Sequence, residues 1–327
     1  MSMREPSDDP APAAPQQASL QSLRIKWRYA STIIVIHLIA ILAFLPSFFS
    51  WTGVVLAVLG CYVFGTLGMN IGYHRLVAHR SFACPLWLEY VLVILGACCL
   101  EESPIVWAAL HRQHHHMADK EGDPHSPVAS FLWGHLGWLL IKSDNAEAGR
   151  SIVRYAPDLT SDRFYSWLEV GDNWIKVALL SVAAFFVAGF VAVTIEGGPL
   201  PEAVRFGCSL LLWGGAVRIV AVWHLTWSVN SITHLWGYRN YMTPDNSRNN
   251  LLVSMITNGE GWHNNHHADP ASARHGHGWR EPDVAWLTIH ALQSVGLVWD
   301  VALPSPGLAE ALDARALRGA AGGAQQN

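Results

Sequence analysis

Four stretches of this chain are long and apolar enough to cross a lipid bilayer, and they come in two pairs. A crossing helix takes about 20 mostly apolar residues. Ala30–Ser50 and Trp51–Gly72 run almost without a break, separated only by a turn near Pro46, where proline interrupts a helix. Trp174–Ile195 and Ala203–Trp227 are joined by Glu196–Glu202, a short segment with two glycines and two prolines. This spacing predicts two helical hairpins and an all-α integral membrane protein. A further apolar run, Leu86–Leu100, contains Glu89 and is short for a span, so it reads as an interfacial or re-entrant helix. With that run on the surface, every histidine-rich segment falls on one side of the membrane.

Composition agrees with placement in lipid. Charged residues make up 14% of the 327 residues and hydrophobic ones 51%, whereas an ordinary soluble domain is about a quarter charged. The net charge of −4 provides no basic field for nucleic acid, which excludes that class of partner. Lys and Arg should crowd the cytoplasmic segments beside the spans. Arg24, Lys26 and Arg28 precede the first span, eight basic residues lie between the second and third, and Arg239, Arg248, Arg274 and Arg280 follow the fourth; the two short opposite loops hold none. Both termini and the histidines are therefore expected to be cytoplasmic, with a bacterial inner membrane as the expected location. Residues 1–22, rich in Pro, Ala, Gln and Ser, read as a disordered tail, 23–305 as the membrane domain, and 306–327 as an Ala- and Gly-rich tail. Arg205 and Arg218 stand within or beside the fourth span. A charge there needs a route to the interface, a structural partner in the bundle, or a place beside a cavity.

Seventeen histidines need a chemical explanation. They gather in three clusters: His74 and His79 at the end of the second span; His111, His114 and His115, with His116 beside them; and His263, His266 and His267. The spacing i, i+3, i+4 places three imidazoles within about 60° on a helix, able to serve a metal from one face. His74 and His79, five apart, stand about 140° apart on a straight helix, so they need a helix end or bend to converge, or else serve two ions. His234 follows the fourth span with Asn230 one turn behind it. These nine histidines are too many for one ion and suit two. His37, His116, His125, His135, His224, His275, His277 and His290 lack the triple spacing and read as structural or supporting residues. Cys61, Cys84, Cys98, Cys99 and Cys208 lie in apolar stretches without C-x-x-C spacing and read as small core residues. Imidazole suits Zn, Cu, Fe or Ni. Zinc sites that are structural often use Cys, and hydrolytic ones need few ligands, so an all-histidine pair of ions fits oxygen activation better.

Joined together, these motifs resemble the membrane fatty acid desaturases, in their Δ9 acyl-CoA (stearoyl-CoA-like) branch. The matching text is H-R-x-x-x-H at His74–His79, H-R-x-H-H at His111–His115, N-S-x-T-H-x-W-G at Asn230–Gly237 and G-E-G-W-H-N-x-H-H at Gly259–His267, with Asp123-Pro-His125 and Asp245-Asn-Ser-Arg248 beside them. The likeness runs from about Ile25 to Val301. It implies four spanning helices under a cytoplasmic helical cap that holds two iron ions. His74, His79, His111, His114, His115, His234, His263, His266 and His267 fall on the implied ligand positions, and Asn230 on that of a polar residue reaching one iron through water. The implied reaction takes O2 as co-substrate and removes two hydrogens from adjacent carbons of a saturated acyl chain, leaving a cis double bond, in unsaturated fatty acid biosynthesis.

No His-Pro-Gly-Gly haem motif occurs, so the resemblance implies an external electron donor, cytochrome b5 or ferredoxin with its reductase. Asp123, Asp245 and Glu260 are candidates to orient imidazoles, although caps and loop hydrogen bonds account for each equally well; Glu101 and Glu102 are weaker ones. In related proteins bulky residues on the second span close the acyl tunnel, and Tyr62 is the expected plug. Desaturation of an acyl-lipid, or a related hydroxylation or decarboxylation, would use the same scaffold. A non-enzymatic metal-binding protein would need ionisable residues along its spans, whereas the histidine clusters here lie outside them.

Overall fold

The computed structural model describes residues 24–142 and 148–308. The expected N-terminal tail, and all but 306–308 of the C-terminal one, lie outside them. Regular structure among the described residues is helical, joined by isolated β-bridges. The helices that place the site are α1 (Trp27–Leu42), α2 (Trp51–Ala78), α3 (Leu86–Ala97), α4 (Pro104–Met117), α5 (Asn173–Ile195), α6 (Leu200–Ile232), α7 (His263–Ala268) and α8 (Val284–Ser294).

Three segments are long and apolar enough to cross a membrane: Trp51–Ala78, Arg163–Ile195 and Leu200–Ile232. The first expected span falls short of that length as a helix. At 16 residues α1 is about 24 Å long, against a hydrocarbon core of about 30 Å. Proline disfavours helical backbone in the residue before it, and the chain around Pro46 leaves the helix in successive turns, such as Phe48 N to Leu45 O at 2.9 Å. Leu86–Leu100 becomes the 12-residue α3, also too short to span. It lies so close to α2 that a Cβ on Gly68 would sit 2.4 Å from the Gly96 nitrogen.

The long helices take unequal shares of the apolar surface. In its most apolar window the Arg163–Ile195 segment is 11% buried, against 67% for Leu200–Ile232, which makes α6 the central helix and α5 peripheral. Leu179, Leu180, Val187 and Val191 of α5 and Ile34, Leu38 and Ile41 of α1 are exposed. Aqueous surfaces rarely carry so continuous an apolar patch, whereas lipid accepts it.

Arg218 is fully buried in α6. Its Nε donates to Gly214 O at 2.9 Å and its Nη1 to Cys98 O at 2.7 Å, with the guanidinium 4.1 Å from the Phe64 ring centre. Of the roles open to it, the structure selects the structural one. Arg205 reaches the Ser47 carbonyl at 3.5 Å.

Candidate metal centre

The end of α2 solves the problem set by His74 and His79. From Cys61 to Ala78 the helix is wound in π fashion, closing i→i+5 rather than i→i+4 hydrogen bonds. The His79 amide accordingly donates to His74 O at 3.1 Å. Residues five apart then return to nearly the same side, and the two ring centres lie 4.9 Å apart. Arg112, from the second motif, secures this terminus by donating to Ala78 O at 2.8 Å and Val77 O at 2.9 Å, carbonyls that a helix end leaves without intrahelical partners.

Helix α4 starts with Ser103 as N-cap, its hydroxyl accepting from Val106 N at 3.2 Å, and with Pro104 in the first turn, where the missing N–H costs nothing. It carries His111, His114 and His115 in its last two turns. Helix α7 has only six residues, too few to hold itself in water. The two asparagines among its histidines anchor it. Asn249 Oδ1 accepts from the amides of Asn264 and Asn265 at 3.0 and 3.2 Å, Asn265 Nδ2 donates to Glu281 Oε2 at 2.8 Å, and Asn264 Oδ1 accepts from Tyr241 N at 2.8 Å.

These segments bring all nine histidines together as two groups. His74, His79, His111, His115 and His266 form one; His114, His234, His263 and His267 form the other, and in each the candidate ligand atoms lie within 4.8 Å of one another. Each motif of three is divided. His111 and His115 go to the first group and His114 to the second; His263 and His267 go to the second and His266 to the first. The expected single metal-facing surface per motif is corrected in this way: the i, i+4 pair shares a centre, and the residue between them turns to the other.

Carboxylates stand behind four of the rings. His74 Nδ1 faces Glu260 Oε2 at 2.6 Å; His114, His234 and His267 Nδ1 face Asp123 Oδ1, Asp119 Oδ2 and Asp245 Oδ2, each at 2.9 Å. Burial pushes all four carboxyls up, yet opposing contacts outweigh it. The His234 hydrogen bond brings Asp119 down to about 2, while Asp123 and Asp245 are held well below the carboxylate range by His114 and His267, and Glu260 is lowered mainly by Arg75 and His74. An ionised carboxylate only accepts, so each of these Nδ1 atoms donates and the ring's other nitrogen points inward.

Burial lowers His79, His111, His115, His263 and His266 far below the ordinary imidazole value, and His267 to about 4; Asp123 overcomes burial to raise His114. Neutral imidazole is the metal-binding form. The Nε2 atoms converge: His79 to His111 at 2.8 Å, His266 to His115 at 2.9 Å and to His74 at 3.0 Å, and His263 to His267 at 3.0 Å and to His234 at 3.1 Å. Lone pairs so placed repel unless a cation lies among them. Both groups therefore fit a metal ion.

Two cavities reach this centre. The smaller, about 70 Å³, runs beneath His74 and His263 to Cys61 and Gly65 on α2; the larger, about 450 Å³, leads away between α1, α4 and α6. Trp107, His111, Thr226 and Asn230 line both and mark the bend between them. Asn230 thus lies at the wall of each cavity, and the smaller one is also lined by His74 and His111 of the first group and His263 of the second. Tyr62 lines neither: its hydroxyl meets Thr288 Oγ1 of α8 at 2.8 Å, because this face of α2 turns toward α8. Cys61, one residue earlier, lines the smaller cavity. Glu101 and Glu102 line the large cavity, where Tyr29 donates to Glu102; burial pushes Glu101 up to about 8.

Several residues that support the site escaped the sequence reading. Asp119 follows α4 in a left-handed conformation, φ 60°, which helical spacing cannot anticipate. Arg75 is fully buried and binds Asp283 through both terminal nitrogens, at 3.1 and 3.0 Å, and Glu260 at 2.8 Å. Its signal in the sequence was an arginine directly after a ligand candidate. Among the histidines set aside, His275 joins His74 and Glu260, and His125 joins His114 and Asp123, in groups close enough to hold a metal.

Comparison with known proteins agrees with this geometry. The family model described as fatty acid desaturase matches residues 49–293. The chain is 40% identical over 292 residues to the sn-1 stearoyl-lipid 9-desaturase of Synechocystis sp., covering 89% of this chain and 85% of that protein. It is 40% identical over 280 residues to the sn-1 stearoyl-lipid 9-desaturase of Anabaena variabilis, covering 86% and 95%. An icosanoyl-CoA 5-desaturase of Limnanthes douglasii is 35% identical over 298 residues, covering 89% and 78%.

Proposed function

The chain belongs to the fatty acid desaturase family, and on that premise we propose that it is an O2-dependent Δ9-type acyl desaturase working with two iron ions, one in each histidine group. The observation that carries this reading is the convergence of bare Nε2 atoms on two centres beside two cavities that share Trp107, His111, Thr226 and Asn230 as walls. Bound iron and O2 would supply an oxidant strong enough for an unactivated C–H bond, which offers nothing to an acid, base or nucleophile. The nine histidines would hold the metals, with Asn230 reaching one through water, while Glu260, Asp119, Asp123 and Asp245 fix ring orientation and raise ligand basicity. Trp107, Thr226 and Asn230 would hold the acyl chain bent, so that two neighbouring carbons face the centre and only a cis product fits. The apolar walls keep water from competing.

For the substrate we place an acyl-lipid ahead of the acyl-CoA that the resemblance suggested. Two of the relatives above are named for stearoyl-lipid. At its exposed end the large cavity presents Arg28 paired with Asp172 at 2.8 Å, with Glu169 on the same wall, a setting whose one arginine is already neutralised and which disfavours a polyphosphate carrier. The acyl-CoA alternative draws on the Limnanthes relative. We also propose that α1 and its following turn complete a fourth crossing, that the metal centre is cytoplasmic, and that a separate cytochrome b5 or ferredoxin system supplies electrons.

Expression in a host without Δ9 activity, followed by mass spectrometry of the fatty acids with the double bond located, tests the reaction. A new cis-Δ9 acid in the lipid fraction is expected. Hydroxy acids or shortened alkenes in its place would overturn desaturation. Appearance first in the acyl-CoA pool would overturn the substrate assignment.

A further inference from the structure

The walls of the large cavity are mostly apolar, yet among the described residues three buried polar atoms on them have no hydrogen-bond partner: Trp138 Nε1, His125 Nδ1 and Glu101 Oε1. A hydrocarbon chain offers such atoms nothing, and buried polar groups are rarely left unsatisfied. Two of them share a stretch of wall, with the Trp138 and His125 ring centres 5.2 Å apart.

The Trp138 backbone is held from outside. Its carbonyl accepts from Lys26 Nζ at 3.1 Å, and the neighbouring Leu140 carbonyl from Lys26 N at 2.8 Å. Glu101 stands apart from this pair, toward Thr226 and Trp107 at the bend.

We infer that Trp138 Nε1–H donates to the carbonyl oxygen of the bond joining the acyl chain to its carrier, so that the cavity seats the carboxyl end and the double bond is positioned by distance from it. The inference rests on the desaturase reading. Indole nitrogen is a donor only, so its partner must be an acceptor. In an acyl substrate the strong acceptor nearest the alkyl chain is that carbonyl, in an ester and a thioester alike. His125 lies beside it and makes the same short length of wall polar. With the carbonyl fixed here and the chain bent at Trp107 and Asn230, the carbons presented to the histidines are set by the length between the two points. Trp138 acts on the reaction as a positioning residue.

The test uses the full-length protein in detergent and two saturated lipids that differ only in an ester or an ether link to the long chain. Binding is read from the rise in unfolding temperature with concentration. The wild type is expected to bind the ester roughly tenfold more tightly, the scale of one hydrogen bond to a buried donor, and Trp138→Phe to bind both alike. In turnover, Trp138→Phe should raise KM for the ester by a similar factor and spread the double bond to neighbouring positions, with iron content unchanged. An acyl-CoA run beside the lipid ester shows which carrier brings the carbonyl.

Equal binding of ester and ether by the wild type, which requires no variant, overturns the inference. So does a Trp138→Phe protein that keeps the wild-type preference and a single double-bond position, or one whose only change is lost iron and lower kcat. Absence of any unsaturated product from the wild type would instead sink the desaturase reading, and the ester–ether binding difference would still report on the seat.

Discussion

The two histidine groups draw on the same motifs and are held by different means. The group of His74, His79, His111, His115 and His266 has five imidazoles, one of them backed directly by a carboxylate, Glu260. Its support is a buried lattice in which Arg75 ties Glu260 to Asp283, and a helix end fastened by Arg112. The group of His114, His234, His263 and His267 has four imidazoles, three of them backed by separate aspartates. One group has more imidazoles, tied to a buried ion-pair lattice; the other has fewer, three of its four made more basic by an aspartate. The difference teaches that the first should resist loss of a single ligand, and that the second should depend on its carboxylates.

The hardest test of that contrast removes one ligand from each side. His263→Ala and His115→Ala should both reduce turnover to background. Iron per chain should fall by about one for His263→Ala and by clearly less for His115→Ala, where four imidazoles remain. Equal losses measured by metal analysis would break the distinction.

Next in size is Arg75→Met, which strands Glu260 and Asp283 as buried carboxylates. A broken buried ion pair costs about 3–5 kcal/mol, so the unfolding temperature should drop sharply, whereas the chemically milder Asp283→Asn should drop less. Smaller again, Asp119→Asn, Asp123→Asn and Asp245→Asn should each weaken one metal about 10–100-fold in chelator competition, leaving the second iron in place. An effect on both irons would show that the groups do not stand independently. The smallest effect concerns the smaller cavity. Cys61→Leu fills part of it and should shift the products toward shorter chains, while Tyr62→Ala should not, as chain-length profiles from paired expression would reveal.

Much of this architecture was legible before the fold was known, and the misses have physical causes. Apolar length exposed the crossing segments, but Pro46 made α1 shorter than hydropathy alone suggests. The triple spacing exposed the histidines, yet spacing fixes directions only within one helix. It could show that His74 and His79 need an unusual backbone, and it could not choose π winding over a bend. Asp123, Asp245 and Glu260 stood out beside the motifs, whereas Asp119 was hidden by a left-handed turn. The partner of Tyr62 was hidden as well, because Thr288 of α8, which its hydroxyl meets, is remote in sequence.

The sequence by itself determined that the chain carries lipid-length apolar helices and nine imidazoles at metal-binding spacings, since hydropathy and helical period are local properties. Only the tertiary structure decided how the imidazoles divide between two centres, which carboxylate backs which ring, and which residues the two cavities share. Those depend on contacts between separate segments, some more than a hundred residues apart, such as His74 with Glu260 and His234 with Asp119, and no local pattern records which distant partner a side chain will meet.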